Sequence, residues 1–324
     1  MARMRYAEAL NLALREEMAA DPSVFLFGED VGRYGGVFKV SRGLQEEFGE
    51  ARVRDTPISE QALTAMAVTA AMTGTRPVLE IMYADFLPLT LDALINQASI
   101  YNYIWDGQVR MPLVLRTQGG GGAGAGAQHS KVLDGLVAHI PGLKVVAPVT
   151  PADARGMLRS AIRDDQPVVF MEHKLLYNLR DEVPEDLHYV PLGKARMVVE
   201  GRDVSIFATS KMVIEAEKAA ELLAADGVSA EVIDLRSLRP LDLDAIRASV
   251  GKTNHAVVVN EGWGFCGYAA ELSATIMDHC FDDLDAPVAR VTLPDMPIPY
   301  SEPLETAMLP NAAKIRAAAL RILA

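Results

Sequence analysis

The sequence predicts an α/β protein of two domains, each a mostly parallel sheet flanked by helices. Three observations lead there. β-rich runs alternate with helical stretches along most of the chain, the pattern of parallel strands joined by crossover helices. The alternation breaks once, between Asp181 and Arg202, and then resumes. The length of 324 residues leaves room for two domains of roughly 100–200 residues each.

Before the break, Val24–Gly28, Pro77–Met82, Leu113–Thr117, Lys144–Ala147 and Val168–Glu172 read as strands, and Pro151–Arg163 reads as a helix. An amphipathic helix directly follows Met1–Arg5. The segment Asp181–Arg202, with two prolines, clustered charges and weak patterning, reads as a linker. After it come strand Val204–Thr209, helix Met212–Ala225, strands Ala230–Leu235 and Ala256–Asn260, helix Ala269–His279 and strand Val288–Leu293. The domains are therefore expected at 1–190 and 191–324.

Composition narrows the function classes. Half the residues are hydrophobic, 23% are charged, and the formal net charge is −12. That balance suits a globular enzyme and argues against nucleic acid or an anionic membrane as partner, since both call for a basic patch. The longest apolar runs, such as Ala65–Met72, fall well short of the ~20 residues that span a bilayer. With no leader pattern, a cytoplasmic location is expected. Cys266 and Cys280 form no CxxC pair and suit a packing role in a reducing compartment.

The run Gly119-Gly-Gly-Gly-Ala-Gly-Ala-Gly126 formally contains GxGxxG, yet the next strand, ending Val145-Val-Ala-Pro148, lacks the acid that would hold a ribose hydroxyl about 20 residues on. The Gly-Lys-Thr at 251–253 lacks the upstream glycine of a phosphate loop. What the glycines offer is backbone able to approach a bound molecule closely and carry Gln128-His129-Ser130 into a cleft. His129 is the acid-base candidate, with an exposed loop histidine as the plain alternative. The other histidines show no metal-ligand spacing. In Asp55-Thr-Pro-Ile-Ser-Glu60, Ser59 suits a helix N-cap and Glu60 a first-turn acid, either a functional carboxylate or a favourable helix start.

Several segments, in order, resemble the β subunits of the thiamine diphosphate-dependent 2-oxo acid dehydrogenases, the family of the pyruvate, branched-chain and acetoin enzymes. They are Gly28-Glu-Asp-Val31, Gly36-Val-Phe-Lys-Val-Ser-Arg-Gly43, Asp55–Glu60, Arg76-Pro-Val-Leu-Glu80, Ala127-Gln-His-Ser130, Pro141–Pro148, Ala161-Ile-Arg-Asp164, Glu231–Arg236 and Leu284–Arg290. The resemblance implies a transketolase-like pyrimidine-binding domain followed by a transketolase C-terminal domain.

It also implies that Glu60 shares a proton with the cofactor's aminopyrimidine, that Phe86 stacks on that ring and that Ile58 lies in the cofactor-binding loop just before Glu60, with a core position as the plain alternative for both. Glu29 joins a proton path, and His129 handles protons during acylation of a lipoyl group. A potassium site is implied at the carbonyls of Leu113, Ala161 and Ile162 with the side chains of Asp164 and Gln166, where Gln166 replaces the asparagine usual in pyruvate-type members. The chain has no Gly-Asp-Gly followed by asparagine, so Mg²⁺ and the diphosphate are expected on an α subunit, in an α₂β₂ assembly. A dihydrolipoyl acyltransferase with its lipoyl domain is the other expected partner. Pyruvate is the first expected substrate. Glu172-His-Lys-Leu-Leu-Tyr177 is similar to acetoin dehydrogenase, and Pro294–Tyr300 to the pyruvate enzyme. A non-catalytic scaffold and an NAD-binding module are the readings from other classes.

Overall fold

The computed structural model describes all 324 residues. The chain forms two compact units, one of Met1–Gly119 with Val137–Leu192, the other of Gly120–Leu136 with Gly193–Ala324. The glycine-rich segment, inside the stretch expected to form the first domain, thus packs with the second unit.

In chain order the elements up to the break are β1 (Ala2–Arg5), α1 (Tyr6–Ala20), β2 (Val24–Gly28), α2 (Leu44–Phe48), β3 (Val53–Asp55), α3 (Glu60–Met72), β4 (Arg76–Ile81), α4 (Leu87–Ala93), α5 (Tyr101–Ile104), β5 (Val114–Gly119), α6 (Asp134–Ala138), β6 (Lys144–Val146), α7 (Pro151–Arg163), β7 (Val168–His173) and β8 (Arg180–Val183). Within the first unit the strands run β6-β7-β5-β4-β2-β3, all parallel. A parallel strand covered on both faces needs a continuous apolar run rather than an alternating one. β4, β5 and β7 meet that requirement, being buried almost throughout. Thr150 caps α7 by accepting from the Asp153 N–H, and Pro151 opens its first turn. α7 packs on α1 through buried ion pairs, Arg159 with Glu17 at 2.8 Å and Arg155 with Glu16 at 2.5 Å.

The second unit continues with β9 (Arg196–Val199), β10 (Val204–Ala208), α8 (Met212–Ala225), β11 (Ala230–Asp234), β12 (Ser237–Arg239), α9 (Leu243–Thr253), β13 (Ala256–Trp263), α10 (Tyr268–Cys280), β14 (Ala289–Leu293), α11 (Glu302–Met308) and α12 (Ala312–Leu323). Its sheet order is β14-β13-β10-β11-β9, parallel except for the antiparallel edge strand β9.

Three sequence readings need correction. The linker Asp181–Arg202 contains β9 and the end of β8, which pairs antiparallel with β1. Both strands are only partly buried, so they lack the apolar run that marks a central strand. Cys266 is exposed, with φ +52°, in the loop before α10, and only Cys280 is buried. Ser59 occupies the N-cap position of α3, but its side chain makes no capping bond.

One buried ionic group stands on the central strands of the first sheet. Arg116 of β5 is fully buried and donates to both oxygens of Glu172 on β7, at 2.7 and 2.9 Å, and to Glu80 on β4 at 2.6 Å. Burial opposes the guanidinium charge, but Glu172 and Glu80 outweigh it and hold Arg116 more firmly protonated than usual. Tyr177 donates to Glu172 at 2.5 Å and stacks on Phe38 with ring centroids 4.5 Å apart. Removing one partner of such a group leaves buried charge uncompensated, so Arg116→Ala is expected to lower the unfolding free energy by about 3–5 kcal/mol. Chemical denaturation monitored by circular dichroism checks this, and an unchanged midpoint would count against it.

Candidate active site

At the carboxyl ends of β2, β3 and β4 the first unit gathers Glu29, Ile58, Glu60, Tyr83 and Phe86. Ligands of open parallel sheets bind at such ends, where loops and helix N-termini project beyond the strands. The loop after β2 is tied down by Asp55, whose carboxylate accepts from the N–H groups of Gly32 at 2.6 Å and Arg33 at 3.2 Å. Thr56 N–H donates to the Gly28 carbonyl at 3.0 Å, linking the ends of β2 and β3. Those bonds fix Glu29 and begin the short run through Pro57 to α3.

Glu60 is the first residue of α3, where the helix dipole favours a negative charge. It is half-buried, and its carboxylate forms no hydrogen bond or ion pair within the chain, although its carbonyl accepts from Thr64. Burial first, then the charges of Asp30 and Glu60, push the Glu29 carboxyl above its usual range. Glu29 and Glu60 therefore feel one another. Ile58, two residues before Glu60, is 71% exposed, an unusual state for an aliphatic side chain beside a carboxylate. Phe86, half-buried, ends a short 3₁₀ turn after β4. The phenol of Tyr83 on the same loop is pushed up by burial and by Glu29.

The residues read as a cation site are hydrogen-bonded within the chain. Asp164 N–H donates to the Ala161 carbonyl at 3.2 Å, Gln166 N–H to the Asp164 carboxylate at 2.9 Å, and Val168 N–H to the Leu113 carbonyl at 2.8 Å. Two cationic side chains meet the same oxygens. Arg76 donates to the carbonyls of Ile162 at 3.0 Å and Asp164 at 3.1 Å, and Lys144 donates to the Asp164 carboxylate at 2.5 Å.

His129 belongs to the second unit. It is half-buried, with Nδ1 at 2.5 Å from the Gln128 carbonyl. Three N–H groups of the glycine run ahead of it are engaged by carboxylates of the chain itself. Gly121 N–H donates to Glu261 at 2.5 Å, and the N–H groups of Gly122 and Gly124 donate to Glu305 at 2.8 and 3.0 Å.

Sequence reasoning missed Glu261, Glu305, Asn260 and Asp134. A buried carboxylate facing glycine N–H groups is made by residues distant in sequence, so no local pattern announces it. It missed Gln118 as well. That side chain is fully buried at the end of β5 with neither amide atom hydrogen-bonded, a state that costs about 1–3 kcal/mol when left unmet.

Comparison with known proteins places this geometry in context. Residues 2–180 match the family described as "Transketolase, pyrimidine binding domain", and residues 193–315 match "Transketolase, C-terminal domain". The chain is 48% identical over 322 residues to the pyruvate dehydrogenase E1 component subunit beta-1, mitochondrial, of Oryza sativa subsp. japonica, covering 98% of this chain and 86% of that one. It is 44% identical over 329 residues to the acetoin:2,6-dichlorophenolindophenol oxidoreductase subunit beta of Bacillus subtilis (strain 168), covering 98% and 96%. Among solved structures, a split-gene transketolase described as an inactive beta4 tetramer aligns with TM-score 0.80 at 22% identity, over 99% of this chain and 98% of that one, which speaks for the fold alone. With two domain families matched in order and close relatives aligned along nearly its whole length, the chain belongs to the family of β subunits of the thiamine diphosphate-dependent 2-oxo acid dehydrogenase E1 component, close to its pyruvate and acetoin members.

Proposed function

We propose that this chain supplies the β half of an enzyme that oxidatively decarboxylates a 2-oxo acid, pyruvate first, and passes the acyl group to a lipoyl domain. The observation that supports it most is Glu60. A helix-initiating carboxylate without a partner, at the carboxyl end of a parallel sheet and beside an exposed Ile58, fits a flat heterocycle with a basic ring nitrogen. Thiamine diphosphate, when bound, supplies a carbanion as nucleophile, and the protein's part is geometry and proton control. Glu60 would hold the proton shared with the aminopyrimidine, while Ile58 and Phe86 would pack on that ring. Glu29, its carboxyl already pushed up, would exchange protons with Glu60. His129 would give and take a proton as the acyl group moves to the lipoyl thiol.

The diphosphate and Mg²⁺ belong, in this reading, to an α subunit in an α₂β₂ assembly. The chain lacks the Gly-Asp-Gly motif, and its glycine-rich N–H groups at 121, 122 and 124 are engaged by its own carboxylates. A dihydrolipoyl acyltransferase carrying the lipoyl domain would be the second partner. For potassium, the oxygen donors at Leu113, Ala161, Ile162, Asp164 and Gln166 suit a hard cation. Arg76 and Lys144 oppose it by placing positive charge on the same atoms. Two free cysteines suit the reducing cytoplasm read from the sequence, whereas the rice relative is named mitochondrial; no helix is long and apolar enough to cross a membrane.

The acetoin relative supports one alternative, in which the same residues serve carbon–carbon cleavage of acetoin. A panel of pyruvate, branched 2-oxo acids and acetoin with an artificial electron acceptor separates the two. In the reconstituted complex, Glu60→Gln is expected to lower turnover by about 10²–10⁴-fold, the usual worth of a positioned acid-base group. Unchanged turnover in both Glu60→Gln and His129→Ala would instead favour a scaffold role.

The raised Glu29 carboxyl predicts a pH dependence. A folded-state pKa above the unfolded one means that the folded chain binds the proton more tightly, so that stability is present at low pH and fades as pH rises through the folded value. Glu29→Gln is therefore expected to raise Tm at pH 7.5 and to change it little at pH 4. Equal shifts at both pH values, by scanning calorimetry, would count against it. If potassium is resident, exchanging KCl for choline chloride should lower Tm, and Asp164→Asn should abolish the difference.

A further inference from the structure

The glycine-rich loop is held by two carboxylates that the reaction, as read above, does not use. Glu305 on α11 is 2% exposed and Glu261 on β13 is 4% exposed. Together they accept from Gly121, Gly122 and Gly124. Successive N–H groups in left-handed turns form a concavity that binds an anion, and here the anion is internal. The conformation explains the glycines, since φ is +87° at Gly122 and +66° at Gly124, and a Cβ on Gly121 would sit 2.9 Å from Leu309.

The other end of the segment is gripped from the same strand. Asn260, the residue before Glu261, donates to Asp134 at 2.6 Å and accepts from Gly262 N–H at 2.7 Å. Between these anchors Gly126 lies so close to Tyr300 that a Cβ there would fall 2.6 Å from its ring. Gly120 N–H donates to the Lys131 carbonyl at 3.4 Å, closing the loop on itself. His129 lies within this closed loop, half-buried, with Nδ1 at 2.5 Å from the Gln128 carbonyl.

We infer that Glu305 and Glu261 are positioning residues that act through His129. They convert a glycine run, flexible in isolation, into a rigid mount for the imidazole. The inference rests on the reading of His129 as an active-site residue. Misplacing a reacting group by about 1 Å can cost about 10²-fold in rate. Releasing two of the three N–H bonds by Glu305→Ala should therefore lower kcat on that scale with little change in KM. Glu305→Gln keeps an acceptor oxygen and should lose less.

The test uses the reconstituted complex with its α partner and a lipoyl domain, assayed with pyruvate for wild type, His129→Ala, Glu305→Ala, Glu305→Gln and the double variant His129→Ala with Glu305→Ala. Amide hydrogen exchange of residues 120–131 is followed in the same samples. The expected result is faster exchange in Glu305→Ala, a graded loss of kcat from Gln to Ala, and a double variant no slower than His129→Ala alone. Losses that multiply in the double variant overturn the inference, because Glu305 would then act independently of His129. So does wild-type kcat in Glu305→Ala despite faster exchange. If Glu305→Ala does not assemble, the Gln variant decides by the same criteria. Wild-type activity in His129→Ala overturns the reading of that histidine and the catalytic part of the inference with it. The exchange data, which need no turnover, still show separately whether the carboxylates hold the loop.

Discussion

Arg116, buried between Glu80 and Glu172, ties three adjacent parallel strands together at a depth where water cannot compensate a misplaced charge. Its register is strict. Arg116 lies directly opposite Glu80 on β4, while Glu172 on β7 pairs in register with Gln118, two residues further along β5. A one-residue slip of any of the three strands would turn a charged side chain to the opposite face of the sheet. Of the strands whose ends carry candidate site residues, β4, which leads to Phe86, belongs to this group directly. Tyr177 and Phe38 extend the same order outward by a hydrogen bond and a stacked ring pair.

The second unit solves a similar problem with backbone donors. Its glycine-rich loop has almost no side chains to pack, so ordinary hydrophobic burial cannot order it. Glu261 and Glu305 do so through charge-assisted bonds to N–H groups, which are shorter and stronger than neutral ones. In a run that looks like a nucleotide fingerprint, the positive concavity is filled by the chain's own carboxylates.

The acidic group at the first sheet and the cation-like corner at Asp164 illustrate opposite electrostatic choices. At Glu29, burial first and then the nearby charges of Asp30 and Glu60 hold the carboxyl above its usual range. At Asp164 the carboxylate is paired with Lys144, and the neighbouring carbonyls bond Arg76.

Periodicity alone determined the α/β architecture of both units. Val24–Gly28, Pro151–Arg163 and Met212–Ala225 were legible to the residue, because interior parallel strands and one-faced helices write their burial into local composition. Motif order likewise made Glu60 and His129 visible as candidates. Only the tertiary structure decided the edge strands β8 and β9, the grouping of Gly120–Leu136 with the second unit, and the partners of the glycine loop. The physical reason is range. Glu305 meets Gly122 across 183 positions of chain and Arg116 meets Glu172 across 56, and a contact formed at such separation leaves no trace in the pattern around either residue.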